Sequence, residues 1–234
     1  MSKVNVVKIE KVPAELKAAE ALRQAIIDGL IAPGSRITEG DLSEQMHLSR
    51  ATIRSALQTL AGEGLTSLKR YAGWSVVQLS ANDVWELYTV RSTMERLAAR
   101  LVAGSIDRGK SAMIGKALGV LERQCLAGDW VKIADADFEF HKQIIALAGN
   151  GRLSGQYALF EPQMRMYIRA LDPLFTDPNA IIRQHEIIAN AVCSGDIAKA
   201  GDVAEDHNLV DGEMLARHLA AQELKLAGAV TRAQ

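Results

Sequence analysis

Apolar residues recur every three or four positions through the first part of the chain, which predicts three short amphipathic helices. In residues 14–28 the period is clear until Gly29 ends it. A second helix, opened by a threonine in capping position, is predicted over about 38–46. Ser49 is a suitable N-cap for the third, whose apolar stripe ends near Gly62.

A different pattern follows these helices. Residues 65–68 and 74–77 are two short runs on either side of a polar tip at 69–73, as is typical of a β-hairpin. Two short helices joined by His47 and Leu48 and followed by a hairpin have the dimensions of a winged helix-turn-helix. We therefore predict such a domain over residues 1–79.

From residue 80 onward the helical period is continuous and strand signals are absent. Breaks at glycines and prolines separate six predicted helices, at roughly 81–103, 110–127, 130–148, 151–171, 178–193 and 196–226. Short loops between such helices favour an antiparallel bundle. The fold class is therefore predicted to be mainly α, with an all-helical domain over residues 80–234.

Composition excludes several classes of protein. The 234-residue chain is 48% hydrophobic, as in ordinary globular proteins, and has a net charge of −1, although its first 80 residues carry a net +2. Cys125 and Cys193 lack metal or redox spacing. The charged N-terminus does not resemble a secretory signal, and no apolar run is long enough to span a membrane. We expect a soluble cytoplasmic protein.

The third helix has a basic face. If its apolar stripe is buried, then Arg50, Arg54 and Gln58 recur at steps of four on another face, where they could donate to phosphates and guanine edges in a major groove. Lys69 and Arg70 in the hairpin could lie beside the adjacent minor groove. From spacing alone, a merely solvated charged face is an equally good interpretation.

Five segments of this region resemble the DNA-binding domain of the GntR family of transcriptional regulators. They are residues 22–29, 33–37, 42–46, 48–54 and 57–65, within a region of resemblance over about 14–80. The resemblance implies double-stranded DNA as partner, contacted by Arg36, Arg50, Thr52, Arg54 and Gly73. His47, Ser55 and Ala72 depart from the usual residues, and Ala72 stands where an arginine often precedes the wing glycine.

Three of the five histidines interrupt apolar helix faces in the second domain. His141 follows Asp137 by four residues, which makes the two side chains neighbours on one face, and His185 and His207 interrupt apolar rows of later helices. Imidazole and carboxylate ligands suit a first-row divalent metal, and bundle cores are common places for such sites. The alternative is a polar core that holds histidines without metal.

These histidines lie in segments that resemble the metal-binding version of the FCD domain, the C-terminal domain of one GntR subfamily. The segments are 137–141, 148–150, 185–188, 195–196 and 207–209, within a region of resemblance over 81–225. The resemblance implies one divalent ion (Zn²⁺, Ni²⁺ or Mn²⁺) held by Asp137, His141, His185 and His207. It also implies dimerisation and a small effector, often a carboxylic acid.

Two arginines could hold that effector. Arg91 falls on the apolar face of the first bundle helix, with Glu95 one turn later. A buried guanidinium needs an anionic partner, so Arg91 either pairs with Glu95 or Asp137 or clamps an effector carboxylate beside the metal. Arg165, near the edge of a later stripe, is a further candidate.

Three functions remain open at this stage. The first is a DNA-binding regulator that binds a palindromic operator as a homodimer and responds to an organic acid at the metal. The second is a sensor of the metal itself. The third is a metal-dependent enzyme, which we disfavour because no nucleophile motif or general base stands out near the histidines.

Overall fold

The computed structural model of the protein describes residues 12–171, 174–175 and 177–232, with side chains assigned as far as residue 225. The charged segment before Val12, and the turn at Pro173, lie outside the described residues. The chain divides between Val77 and Gln78 into two structural units. The first contains α1 (Ala14–Ile27), β1 (Arg36–Ile37), α2 (Glu39–Met46), α3 (Arg50–Gly62), β2 (Thr66–Lys69) and β3 (Gly73–Val76).

Side-chain caps define the helix-turn-helix of this unit. Thr38 Oγ1 accepts a hydrogen bond from Asp41 N at 3.1 Å, and Ser49 Oγ accepts one from Thr52 N at 3.1 Å, so both predicted caps are confirmed. Between α2 and α3, His47 has a φ of 52°, a left-handed conformation that histidine tolerates better than branched residues. The caps and this turn fix where α3 begins.

The wing has one more strand than the hairpin predicted from sequence. The sheet is antiparallel with the order β1-β3-β2, and β1 pairs Arg36 with Ser75. A strand of two residues is too short to show an alternating pattern, which is why the sequence did not indicate it. Thr66 Oγ1 also donates to Leu57 O at 2.9 Å, which fastens β2 to α3.

The second unit is the predicted all-helical domain, and the mainly helical fold class is confirmed. Its six helices in the described ranges are α4 (Ala81–Ala103), α5 (Arg108–Ala127), α6 (Trp130–Leu147), α7 (Gly151–Leu171), α8 (Pro178–Cys193) and α9 (Ile197–Arg232). Helix α5 begins earlier than predicted because Asp107 Oδ1 accepts from Lys110 N at 2.7 Å and caps it. None of the described helices is both long and apolar enough to cross a membrane.

Helices α4 and α9 approach each other closely at a glycine. A Cβ placed on Gly212 of α9 would lie 2.6 Å from Tyr88 Cβ on α4, a distance that no side chain can occupy. This contact brings the segment of α9 that carries His207 alongside the segment of α4 that carries Arg91 and Glu95. The close approach therefore helps to build the polar cluster described next.

Candidate metal centre and nucleic-acid interface

Three imidazoles from α6, α8 and α9 converge inside the helical unit. The Nε2 atoms of His141 and His185 are 3.1 Å apart, and one ring nitrogen from each of His141, His185 and His207 lies within 4.8 Å of the others. Two imidazole nitrogens that share one ion at about 2.1 Å would be about 3 Å apart. The spacing of His141 and His185 therefore fits two ligands of a single divalent ion, and His207 lies close to both.

Hydrogen bonds orient two of these rings. His141 Nδ1 lies 2.6 Å from Glu95 Oε2, and His185 Nδ1 lies 2.8 Å from the carbonyl oxygen of Ile181. Each ring therefore donates from Nδ1, which leaves the Nε2 lone pair for an ion. The sequence indicated Glu95 only as a neighbour of Arg91. Its contact with His141 joins α4 to α6 and could not be predicted from spacing along one helix.

Asp137 completes the predicted ligand set. Its Oδ2 lies 3.1 Å from His185 Nε2, and its Oδ1 lies 3.7 Å from His141 Nε2. Burial alone would raise the pKa of the Asp137 carboxyl, but His185 and His141 lower this pKa below its ordinary value. Burial and the other two imidazoles lower the pKa of His207 well below its ordinary value. A carboxylate among several imidazoles is a ligand set suited to a divalent cation.

Arg91 combines features of both roles suggested from sequence. It is 3% exposed, and its Nε donates to Glu95 Oε1 at 2.7 Å, which confirms the ion pair. Its Nη2, however, is buried with no hydrogen-bond partner among the described residues. One nitrogen of the guanidinium is therefore paired with Glu95, and Nη2 is a buried donor without a partner among the described residues.

Glu95 is the centre of this network. Besides Arg91 and His141 it accepts from Tyr157 Oη at 2.8 Å and from Asn208 Nδ2 at 2.9 Å. Burial would raise the pKa of Glu95, but the charges and hydrogen bonds of Arg91, His141 and Asn208 lower it well below the usual value. The surroundings of Glu95 therefore favour the charged form of the carboxylate at the base of the cluster.

Asp211, which the sequence analysis missed, also belongs to the cluster. Its Oδ2 lies 3.4 Å from His207 Nε2, one helical turn away on α9. Burial raises the pKa of its carboxyl to about 7, and Asp137 nearby adds to the shift. The spacing from His207 to Asp211 is the same four-residue step that identified Asp137 and His141, so this signal was available in the sequence.

Arg165 lies in a different environment from Arg91. It forms ion pairs with Asp135, Glu139 and Glu161, and its guanidinium lies 4.2 Å from the centroid of the Phe138 ring. These described contacts do not include the histidines or Asp137. An effector would therefore have to compete with three carboxylates for Arg165, and we do not assign it to the site.

A cavity of about 290 Å³ between α8 and α9 reaches this cluster. It is lined by Ile188, Val203 and Val210, with Gln184 and Asp206 as polar members, and His207 contributes to its wall. The volume is sufficient for a small metabolite. Of the three clustered histidines, His207 is therefore accessible from the α8 and α9 side.

Four of the residues predicted to bind DNA lie on or beside an accessible face of the first unit. Arg36, Arg50 and Arg54 are exposed, while Thr52 is half-buried, with its Oγ1 2.9 Å from Ser49 Oγ. The buried stripe of α3 faces the core as predicted, so its arginines point toward solvent. Gly73 has a φ of 82°, and a Cβ there would lie 4.0 Å from Arg36 Nη2.

Arg54 is held in position by a side chain that the sequence did not single out. Its Nε and Nη2 donate to the two oxygens of Glu39 at 2.8 and 2.7 Å, and Trp74 Nε1 donates to the same carboxylate at 3.1 Å. The Arg54 side chain remains 59% exposed. Glu39 therefore orients a guanidinium that is still accessible to DNA.

The tip of the wing exposes an aromatic ring. Tyr71 is 91% exposed and has a φ of 65°, and the Arg70 guanidinium carbon lies 4.9 Å from its ring centroid. A left-handed backbone is unusual for a bulky residue. The wing thus presents a stacked cation and ring at its exposed tip.

A capped helix-turn-helix with exposed arginines, joined to a helical unit with a polar cluster, defines a DNA-binding regulator with a ligand-binding domain. The family model described as "Bacterial regulatory proteins, gntR family" matches residues 14–76, and the FCD domain model matches residues 86–209. The chain belongs to the GntR family of transcriptional regulators and carries an FCD domain. This membership confirms that the protein is a transcriptional regulator, the interpretation that we favoured over a metal-dependent enzyme.

Known relatives agree with this assignment. The HTH-type regulator YdhC of Bacillus subtilis is 30% identical over 60% of this chain and 63% of its own length. The gluconate operon transcriptional repressor of Bacillus licheniformis is 28% identical over 77% of this chain and 76% of its own. A GntR regulator from Rhodococcus sp. RHA1 has the same fold, with a TM-score of 0.72, 24% identity and coverage of 86% of this chain and 96% of that one.

Proposed function

We propose that this regulator binds a small carboxylate at a divalent metal ion in its FCD domain, and that this binding changes its affinity for operator DNA. The observation that carries the proposal is the unpartnered Nη2 of Arg91, buried in the same cluster as three convergent imidazoles. A relative named for the gluconate operon supports a carboxylate as the class of effector.

Asp137, His141, His185 and His207 would hold the ion, with Zn²⁺, Ni²⁺ or Mn²⁺ as candidates. When bound, the ion would supply a fixed positive charge in a buried site, where little water weakens its attraction for an anion. Arg91 Nη2 would donate to a carboxylate oxygen, while its Nε stays on Glu95. A metal-only sensor would give no role to the free arm of Arg91.

We also assign the DNA contacts of the protein to exposed residues of the first unit. Arg50, Thr52 and Arg54 would contact the major groove, Arg36 a phosphate, and the Gly73 end of the wing the adjacent minor groove. By linkage, a carboxylate regulates only if it binds the DNA-bound and free forms with different affinity.

We also propose a homodimer that reads a palindromic operator, with α4 as part of the interface. Val90, Leu97 and Leu101 are 42, 44 and 36% exposed and share one face of α4, separate from the buried face that carries Arg91 and Glu95. A second copy would cover this apolar stripe, and two-fold symmetry matches that of a palindrome. Sedimentation at micromolar concentration should give a dimer; a monomer alone would contradict this assignment.

One set of variants tests both the binding of the metal and the release of promoter DNA by carboxylates. We expect the purified protein to carry one divalent ion per chain, and His185→Ala and His207→Ala to lose it, as measured by elemental analysis. The matched control is His218→Ala, which changes an exposed histidine of α9. Release of promoter DNA by carboxylates should be lost in the first two variants and kept in the control. Full metal content and an unchanged response in both variants would overturn the site.

A further inference from the structure

An acidic side chain lies among the arginines that we assign to DNA. Glu39, the first residue of α2, forms an ion pair with Arg54 on α3, and its side chain is 19% exposed against 59% for Arg54. DNA is a polyanion, so a carboxylate at its binding surface opposes association with DNA of any sequence. The presence of Glu39 there therefore calls for a role other than affinity.

Two other elements of the first unit hold the carboxylate of Glu39. Its Oε1 accepts from Arg54 Nε at 2.8 Å and from Trp74 Nε1 at 3.1 Å, and its Oε2 accepts from Arg54 Nη2 at 2.7 Å. Trp74 lies on β3 and is 5% exposed, so the indole that donates this bond is fixed in the core. The hydrogen bonds from Arg54 and Trp74 lower the pKa of Glu39, which favours its charged form. An arginine of α3 is thus tied through α2 to a strand of the wing.

The contact with Glu39 leaves one edge of the Arg54 guanidinium for DNA. A guanidinium has five N–H donors in one plane. With Nε and one N–H of Nη2 directed at Glu39, the two N–H groups of Nη1 and the second one of Nη2 remain. One donor from each of these two nitrogens forms the outer edge of the group. A bidentate contact with O6 and N7 of guanine needs such a pair of donors.

Resting on the proposed function, in which Arg54 contacts the major groove, we propose that Glu39 determines specificity by directing Arg54 to a guanine edge and weakening its attraction to phosphates. The ion pair is close to neutral, so its attraction for a phosphate is small, while its outer N–H groups can still donate to a base. Trp74 is a positioning residue, because its N–H holds the carboxylate beside Arg54.

Binding to two DNA duplexes separates selectivity from affinity. Fluorescence anisotropy would give the dissociation constants of the full-length protein for its own promoter DNA and for a scrambled duplex of equal length. For Glu39→Gln we expect tighter binding of the scrambled duplex and a fall of at least about fivefold in the ratio of the two affinities. The salt dependence on the scrambled duplex should steepen by about one unit of slope, because Arg54 becomes free to contact a phosphate. A residue that only stabilised α2 would weaken both affinities together and leave their ratio unchanged.

Two further variants frame this result. Glu44→Gln removes the same charge from an exposed position of the same helix and should leave the ratio of the two affinities unchanged. Trp74→Phe keeps an aromatic ring in the core but removes the N–H donor, and should lower the ratio in the same direction as Glu39→Gln but by less. Denaturant unfolding shows that each variant is folded. Because Trp74→Phe leaves Glu39 in place, it tests the proposal even if Glu39→Gln fails to fold.

A double-mutant cycle with Arg54→Ala tests whether Glu39 acts through the arginine. In the Arg54→Ala background, Glu39→Gln should leave the ratio of affinities unchanged. A further fall in this ratio would mean that Glu39 contacts a base itself, which overturns the proposal. An unchanged ratio in Glu39→Gln alone, while Arg54→Ala loses selectivity, also overturns it and leaves the DNA contact of Arg54 standing. If Arg54→Ala keeps native selectivity, the proposed contact of Arg54 with guanine fails as well.

Discussion

The two units of this protein use charged side chains in opposite ways. In the winged helix, Arg36, Arg50 and Arg54 are exposed, and the one ion pair described for Arg54, with Glu39, leaves it more than half accessible. In the helical unit, Arg91 and Glu95 are almost fully buried. Exposed charges gain little from pairing, so they remain available for DNA. A buried donor atom without a partner, such as Arg91 Nη2, is costly and therefore points to a ligand.

The largest expected effect contrasts the two ion pairs. Glu95→Ala would leave the buried charge of Arg91 without a counterion, and we expect a loss of about 3–5 kcal/mol in the free energy of unfolding. Glu39→Ala removes the partner of an exposed arginine and should change that free energy far less. Denaturant unfolding of both variants measures the difference, and equal losses would contradict the contrast.

The close approach of α4 and α9 should tolerate no added methyl group. Gly212→Ala would place a carbon against Tyr88, and we expect a loss of about 1–3 kcal/mol in stability through overpacking. Gly115→Ala on α5 is the matched control, because nothing lies within 4 Å of the added carbon and alanine favours helix. The control should be neutral or slightly stabilising, and a Gly212→Ala protein as stable as the control would refute the contact.

In the winged helix, loss of an exposed arginine should affect DNA and not folding. If Arg54 contacts a guanine, Arg54→Ala should weaken operator binding by about 5- to 150-fold and relax selectivity at one base pair per half-site, with little change in unfolding. Binding assays on a set of single-base operator variants test this. Native affinity in an Arg50→Ala/Arg54→Ala protein would remove α3 from the recognition role.

A smaller effect is expected at Arg36, on β1 beside the wing. A phosphate contact carries no sequence information, so Arg36→Ala should weaken all sequences alike and reduce the salt dependence of binding by about one unit of slope. Titrations at several salt concentrations measure it. A change in base preference instead would reassign Arg36 to direct base readout.

Local signals made most of the fold predictable. Capping residues such as Ser49, the glycine breaks and the four-residue apolar period indicated the helices with small errors at their ends, while the two-residue strand β1 left no pattern. The apolar helix faces likewise identified the three histidines and Arg91, because these residues interrupt them. Contacts between helices that are distant in sequence leave no such local signal. The central position of Glu95, and its contact with Asn208, therefore became visible only in the packing of α4 against α9.

One conservative substitution tests the central claim, that Arg91 keeps a free arm for a carboxylate effector. Arg91→Lys preserves the positive charge opposite Glu95 but removes the second donor arm. Promoter DNA release would be titrated with a panel of small carboxylates on metal-loaded protein. We predict that Arg91→Lys keeps its metal and its DNA affinity but needs at least about tenfold more carboxylate for release. An unchanged carboxylate response in this variant would contradict the account.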